Sequence, residues 1–186
     1  MAWIEPVAVI LAISYLLLAI AQKRACWVAA LISSVLFLVL FADAKLYMES
    51  ALQVVYAVMA ILGWIRWQSD DSGQRLAISS RPRVFHAACI LSILGASWIV
   101  GYLMSQYTDA ARPFIDAATT VAALVTTWMV VEKIIENWLY WIVINSVSVW
   151  LFFDRNLDMT AFLFLVYILL SFVGYLFWRR QLPKQF

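Results

Sequence analysis

Two segments of the chain align with each other without a gap at an offset of 111 residues. They are residues 27–67, WVAALISSVLFLVLFADAKLYMESALQVVYAVMAILGWIRW, and residues 138–178, WLYWIVINSVSVWLFFDRNLDMTAFLFLVYILLSFVGYLFW. Matches of leucine or valine mean little in a chain this apolar, whereas tryptophan, glycine, tyrosine and aspartate rarely coincide by accident. The informative pairs are Trp27 with Trp138, Asp43 with Asp154, Tyr56 with Tyr167, Gly63 with Gly174, and Trp67 with Trp178. Self-similarity at a fixed period indicates an internal duplication.

The composition is that of an integral membrane protein. Of the 186 residues, 66% are hydrophobic and 13% are charged, and the mean hydropathy is +0.89. Soluble domains are about 45–50% apolar and about 25% charged. The lipid bilayer is therefore the expected environment of most of the chain.

Seven apolar stretches approach the length of about 20 residues that a membrane-spanning helix needs. They are residues 3–22, 26–42, 48–67, 84–105, 114–131, 138–153 and 159–178. The one long polar connection is Gln68–Arg83, which contains serine, glycine and proline. We therefore predict an all-α membrane protein with seven transmembrane helices.

The repeat divides these helices into three, one and three. Residues 1–67 form the first three-helix repeat, residues 68–113 the polar linker and a connecting helix 4, and residues 114–186 the second repeat with a basic tail. Helix 4 returns the chain across the membrane, so both repeats have the same orientation. In parallel duplications of this class, the substrate site is expected at the interface of the repeats.

Basic residues assign the two sides of the membrane. Of the 13 lysines and arginines, ten fall on one predicted side and three on the other. The ten are Lys23, Arg24, Arg66, Arg75, Arg81, Arg83, Lys133, Arg179, Arg180 and Lys184, and the three are Lys45, Arg112 and Arg155. The positive-inside rule then predicts a multi-pass membrane protein with its N-terminus outside and its C-terminus in the cytoplasm.

The placement of charged residues excludes several function classes. No predicted span has a charge in its interior, and buried carboxylates are what proton-driven carriers usually need; coupling to sodium through backbone carbonyls remains open. The chain has no Walker-type glycine loop and no assembly of nucleophile and base or of metal ligands. We expect no enzyme activity, no cofactor, no metal and no nucleic-acid partner.

The most informative cluster lies in the sixth span. Trp138, Trp141, Asn145 and Ser148 are spaced so that they share one helical face. Asn145 lies roughly 10 Å along the helix from Trp138, near the middle of the bilayer, where an unsatisfied amide is costly. The amide either orients a hydroxyl-rich or carboxamide-bearing ligand or bonds a neighbouring helix.

The third span has a matching face of Gln53, Tyr56, Ala60, Gly63 and Trp67, with Trp64 beside it. Aromatic faces attract flat rings, and cationic rings most strongly. Other tryptophans at inner span ends, Trp27 and Trp178, are typical of an interfacial aromatic belt. The only histidine, His86, is interpreted as an interfacial residue at the start of the fourth span.

Two motifs resemble those of the Pnu vitamin transporters, the PnuC family that takes up nicotinamide riboside. One is Leu52-Gln53-x-x-Tyr56 leading to Gly63-Trp64-x-x-Trp67. The other is Glu136-Asn137-Trp138-x-x-Trp141-x-x-x-Asn145, continued by Val147-Ser148-Val149. The resemblance covers nearly the whole chain.

The resemblance implies a fold, a site and a mechanism. The fold is a three-plus-one-plus-three duplication similar to that of the SWEET sugar transporters, and the substrate-binding positions are Gln53, Tyr56, Trp64, Trp138, Trp141 and Asn145. Transport is facilitated diffusion, made unidirectional by a cytoplasmic kinase that traps the vitamin. Thiamine is the alternative substrate, a non-transporting membrane scaffold is the alternative from another class, and a homo-oligomer is also open.

The predicted topology can be tested with reporter fusions after Ser72 and after Phe186. Four spans separate these positions, so both reporters should give a cytoplasmic signal. Signals from opposite sides of the membrane would contradict the predicted number of spans.

Overall fold

The computed structural model describes residues 4–43, 47–68, 76–108, 112–154 and 158–182, without the side chains of residues 5, 47–49 and 158–160. The basic residues Lys45, Arg75, Arg155 and Lys184 used to assign the sides lie outside this description. The described residues form seven α-helices and no strand: α1 Ile4–Ile20, α2 Cys26–Asp43, α3 Tyr47–Arg66, α4 Arg83–Tyr107, α5 Pro113–Val131, α6 Asn137–Asp154 and α7 Asp158–Gln181. The first and last residues of each helix lie within three residues of the ends of a predicted span. This agreement confirms the all-α prediction.

The helices are apolar on their outer surfaces, as in a membrane protein. Within the described ranges, four segments are long and apolar enough to cross a bilayer: Cys26–Asp43, Arg83–Tyr107, Pro113–Val131 and Ala161–Gln181. Pro6–Ile20 and Ser50–Arg66 are shorter apolar helices. Large side chains such as Leu91, Trp98 and Leu169 are exposed, which suits lipid rather than water.

The chain divides into two compact units. Unit 1 is Met1–Ala77 with Val131–Lys133, and unit 2 is Ile78–Val130 with Ile134–Phe186. In unit 1, α1 packs against α2 and α2 against α3; in unit 2, α6 packs against α7. Small residues permit close packing in unit 1, where the buried Ser33 hydroxyl donates to the carbonyl oxygen of Ala8 at 2.9 Å.

A tryptophan lying on a glycine joins α2 to α3 in unit 1. The ring of Trp27 covers the backbone of Gly63 so closely that a Cβ added to that glycine would overlap the indole. Trp67 then meets Trp27 edge to face, with ring centroids 5.4 Å apart and an angle of 87° between the planes. Tyr15 of α1 also packs against Trp27, with ring centroids 5.7 Å apart.

The same arrangement joins α6 to α7 in unit 2. A Cβ at Gly174 would lie 2.7 Å from the ring of Trp138, and Trp138 meets Trp178 edge to face at 5.4 Å and 90°. The interpretation of Trp27 and Trp178 as an interfacial belt is wrong, because their exposed fractions are 1% and 0%. Their place in the repeat reflects packing between helices.

The duplication is also visible in the backbone. Gln22 and Lys133, which occupy equivalent positions, both have positive φ, 52° and 49°. The residue after each donates to a carbonyl five positions back, Lys23 to Leu18 and Ile134 to Met129, both at 2.9 Å. These bonds are typical of the Schellman motif, in which a left-handed residue ends a helix.

The glycine contacts predict unequal effects of alanine. Gly63→Ala and Gly174→Ala should each destabilise the protein by about 1–3 kcal/mol, because a methyl group must displace a buried indole. Thermal unfolding of the purified protein measures this. The matched control is Gly95→Ala in α4, where an added Cβ meets nothing within 4 Å; it should be neutral or stabilising by up to about 1 kcal/mol. Equal losses at all three positions would contradict the packing.

Candidate functional site

The face of α6 that carries the predicted residues is turned inward. Trp138, Asn145 and Ser148 are buried and Trp141 is half-buried, while Val143 between them is exposed. The Ser148 hydroxyl donates to the carbonyl oxygen of Ile144 at 3.0 Å, so its bond is internal to the helix. The helical spacing read from the sequence therefore matches the observed burial.

Asn145 is a polar residue on this face whose side chain is not hydrogen-bonded to the described protein. Its exposed fraction is 5%, and its amide makes no hydrogen bond to any residue that the structure describes. An amide serving as glue between helices would have a protein partner. This geometry favours a bound ligand or water as the partner of Asn145.

The face of α3 is similar in kind. Gln53 and Tyr56 are half-buried and lie in line with the buried Ala60 and Gly63. Within the described ranges, the Gln53 amide also makes no hydrogen bond to protein. Unit 1 therefore presents an amide and a phenol, and unit 2 presents an amide and an indole.

Trp64 lies away from the α3 face. Its exposed fraction is 38%, and the guanidinium carbon of Arg24 lies 3.7 Å from its ring centroid. Arg24 also donates through Nε to the carbonyl oxygen of Trp64 at 2.8 Å and through Nη2 to Gln68 Oε1 at 3.0 Å. A cation thus already covers one face of the indole.

Trp138 has both a packing role and an unused donor. Its ring fills the gap over Gly174, yet its Nε1 is buried without a hydrogen-bond partner among the described residues. The same is true of Nε1 in Trp27, its counterpart in the repeat. By contrast, Nε1 of Trp67 donates to the carbonyl oxygen of Val131 at 3.0 Å, so Trp67 is tied to the protein.

Unit 1 contains a buried cation that sequence reasoning assigned only to the inner surface. Lys133 has an exposed fraction of 5%, its Nζ donates to Gln22 Oε1 at 3.2 Å, and it lies 4.5 Å over the Trp67 ring. Lys133 and Gln22 occupy equivalent positions of the repeat, and this equivalence is the sequence signal from which the contact could have been predicted. Beside them, Arg66 forms a bidentate pair with Glu132 at 3.0 and 2.9 Å.

Unit 2 contains a polar cluster that the sequence also did not predict. Ser80 donates to Glu136 Oε1, Glu136 Oε2 lies 3.8 Å from His86 Nε2, and His86 Nδ1 lies 3.1 Å from the Tyr140 hydroxyl. The interpretation of His86 as a merely interfacial residue is therefore incomplete, because its ring joins α4 to α6. A contact between residues so distant in sequence leaves no periodic signal.

Each of the two faces is suited to binding rather than to catalysis. Across the described residues, no group of three or more histidine, cysteine, aspartate or glutamate side chains could hold a metal ion. The α3 face carries an amide and a phenol, and the α6 face carries an amide and indoles. Such groups recognise flat rings and hydrogen-bonding substituents.

Comparisons with known proteins agree with a transport role. The family model described as nicotinamide mononucleotide transporter matches residues 2–180. A nicotinamide riboside transporter PnuC from Escherichia coli (strain K12) is 27% identical over 94% of this chain and 82% of its own length. A protein of the same name from Neisseria mucosa is 24% identical over 98% of this chain and 74% of its own length.

A solved structure shares the fold. The crystal structure of the vitamin B3 transporter PnuC superposes with a TM-score of 0.75 at 20% sequence identity, covering 98% of this chain and 83% of that chain. This similarity extends over all seven helices. The relatives are named as membrane transporters and not as enzymes.

Two asparagines of α6 should respond differently to leucine. Asn145→Leu should leave the melting temperature unchanged or raise it, because no described protein group loses a hydrogen bond. Asn137→Leu is the matched control: Asn137 is fully buried and its Nδ2 donates to the carbonyl oxygen of Ile134 at 2.6 Å. That change should cost about 1–3 kcal/mol. A large loss at Asn145 would instead identify its amide as a structural bond.

Proposed function

Because the chain belongs to the nicotinamide mononucleotide transporter family, whose model matches residues 2–180, we propose that it carries a B-type vitamin, nicotinamide riboside first, across the bacterial inner membrane. The chain is a multi-pass membrane transporter of a small molecule. The observation that carries the finer proposal is the buried Asn145 side chain, which has no described protein partner. Relatives named for nicotinamide riboside add support.

The chemistry of the α6 and α3 faces suits this substrate. Nicotinamide riboside combines a flat cationic ring with a carboxamide and hydroxyls. Trp141 is proposed to stack on the ring, since indoles attract cations. Asn145 and Gln53 are proposed to orient the polar substituents, with Tyr56 and the Nε1 donor of Trp138 as further contacts. Trp64 is retained as the sixth proposed position. A ligand there has to bind the Trp64 indole alongside the Arg24 guanidinium, which already covers one face of it.

A phosphorylated substrate is disfavoured despite the family's name. The α6 sequence Asn137–Asp154 contains no lysine or arginine, and α3 contains only Arg66, at its last residue. Arg66 pairs with Glu132, and the buried Lys133 already bonds Gln22. An unpaired phosphate desolvated against these faces would cost many kcal/mol. Neither the mononucleotide nor NAD is therefore the proposed cargo.

Transport is proposed to be facilitated diffusion. No acidic side chain lies in the interior of a helix sequence, so a proton relay has no obvious members. A cytoplasmic kinase that phosphorylates the vitamin would then trap it, since the phosphate cannot return past the same faces. The N-terminus is proposed to lie outside and the C-terminus in the cytoplasm, from the positive-inside distribution. Assembly into a homo-oligomer is left as a separate proposal.

Competition for uptake tests the substrate. In proteoliposomes, unlabelled nicotinamide riboside should compete with the labelled vitamin, thiamine should compete less well, and the mononucleotide should not compete. Asn145→Leu should weaken binding of the riboside by about 1–3 kcal/mol, because a polar group of the ligand loses its partner. Stronger competition by thiamine would reassign the cargo within the family. Absence of any vitamin uptake would favour a scaffold.

The driving force can be tested in the same vesicles. Uptake should stop when the internal and external concentrations of the vitamin become equal, and an imposed proton gradient should not raise the final level. Enclosing a kinase that phosphorylates the vitamin, together with ATP, should produce accumulation. Uphill uptake driven by protons or sodium without the kinase would overturn facilitated diffusion.

A further inference from the structure

The polar linker ends in a short extended segment that is hydrogen-bonded to the residues just before α6. We call the contact of Ser79 with Ile134 and Ile135 the linker clip. Residues 76–82 precede α4 without helical structure. The backbone N–H of Ile135 donates to the carbonyl oxygen of Ser79 at 2.9 Å, and Ser79 forms an isolated parallel bridge with Ile134. Ile78, the residue before the bridge, is buried. The linker therefore packs directly on the turn that leads into α6.

Glu136 connects this clip to α4. One carboxylate oxygen, Oε1, accepts from Ser80 of the linker. The other, Oε2, lies 3.8 Å from Nε2 of His86, and the two side chains have exposed fractions of 17% and 18%. Both of these facing atoms are buried without a hydrogen-bond partner among the described residues.

The second ring nitrogen of His86 reaches α6 itself. Its Nδ1 lies 3.1 Å from the hydroxyl of Tyr140, and the two rings are 5.8 Å apart. Tyr140 lies between Trp138 and Trp141 in sequence, so the histidine holds the first turn of the helix that carries the proposed ligand face. The linker, α4 and α6 are thus connected through the Glu136 carboxylate and the His86 imidazole.

The contact between His86 and Glu136 depends on a proton. A separation of 3.8 Å is longer than a hydrogen bond, so a neutral imidazole gains little from the carboxylate, whereas an imidazolium is attracted to it. Histidine is the side chain that ordinarily changes charge between pH 5 and 8. Besides Glu136 and Tyr140, titratable or charged groups at this point of the chain include Arg83 and Cys89, each one turn from His86 in α4, and Arg81, whose guanidinium lies 6.0 Å over Phe85.

The first repeat has no equivalent of this cluster. The position matching Glu136 is Ala25, and the position matching Ile135 is Arg24, which bonds Trp64 and Gln68 of its own unit. Packing of the repeat therefore does not require the carboxylate. The cluster is an addition to one copy of a duplicated scaffold.

We propose that His86, Glu136 and Tyr140 are positioning residues for the ligand face of α6, and that protonation of His86 tightens the linker clip and strengthens ligand binding. The proposal rests on the proposed function for its ligand. Its physical basis is preorganisation: a first turn held in place binds without an added ordering cost. Acidification at this end of the molecule should therefore favour the bound form.

A ligand-free measurement tests the clip. A nitroxide spin label on the thiol of an Ala77→Cys variant, at an exposed position and in a background with Cys26→Ala and Cys89→Ala, reports the mobility of the linker by electron paramagnetic resonance. The label should be less mobile at pH 5.5 than at pH 8.0, and His86→Gln should abolish the difference. No difference in the parent, or an equal difference in the variant, would overturn the proposal.

Affinity tests the positioning role. Nicotinamide riboside keeps its pyridinium charge at both pH values, so the ligand does not itself titrate. The parent should bind it about threefold more tightly at pH 5.5 than at pH 8.0, the scale of one partly exposed ion pair. His86→Gln and Glu136→Gln should each remove this pH dependence of the affinity. Glu132→Gln, which changes a carboxylate outside the cluster, should retain it.

The two experiments separate this proposal from the function on which it rests. A pH-dependent change in label mobility that requires His86, with no vitamin bound at either pH, would support the linker clip and refute the proposed substrate. Normal vitamin binding that is independent of pH would refute the positioning role. Melting curves at pH 8.0 check folding, and if Glu136→Gln does not fold, His86→Gln decides alone.

Discussion

In each unit, an indole ring lies directly on the backbone of a glycine, and the rest of the helix packing follows from that contact. Trp27 covers Gly63 and Trp138 covers Gly174, each so closely that a Cβ would have to displace the ring. In a bilayer, apolar side chains gain nothing from leaving water, so helices associate through close van der Waals packing at small residues. The large, flat indole maximises such contact, which explains why tryptophan and glycine survive in both copies of the duplication.

The same constraint separates polar groups that are hydrogen-bonded within the protein from those that are not. Hydroxyls in these helices, such as those of Ser33 and Ser148, bond backbone carbonyls, which satisfies them inside the protein. Asn145 and Gln53 have no such partner among the described residues. Asn145 is buried and Gln53 is half-buried, so each amide gains from a polar partner, and both are proposed ligand contacts. Their placement on the inward faces of α6 and α3 supports the proposed vitamin site.

Duplication gives two equivalent turns, and the protein uses them differently. Gln22 and Lys133 share a left-handed backbone conformation that favours glycine, yet both keep long side chains that bond each other. The neighbouring positions diverge: Arg24 stacks on Trp64, while Glu136 reaches His86 and Ser80. Symmetry thus sets the backbone of the turns, and individual substitutions give each turn its own chemistry.

The sequence by itself determined the number and bounds of the helices, the duplication and the inward faces of α3 and α6. These follow from apolar length, from a fixed offset and from helical period, which are all local or periodic properties. Only the tertiary structure decided that Trp27 and Trp178 are buried, that Arg24 covers Trp64, and that His86 meets Glu136. Each of these depends on which side chains of distant segments come within a few ångströms of one another, and neither composition nor period carries that information.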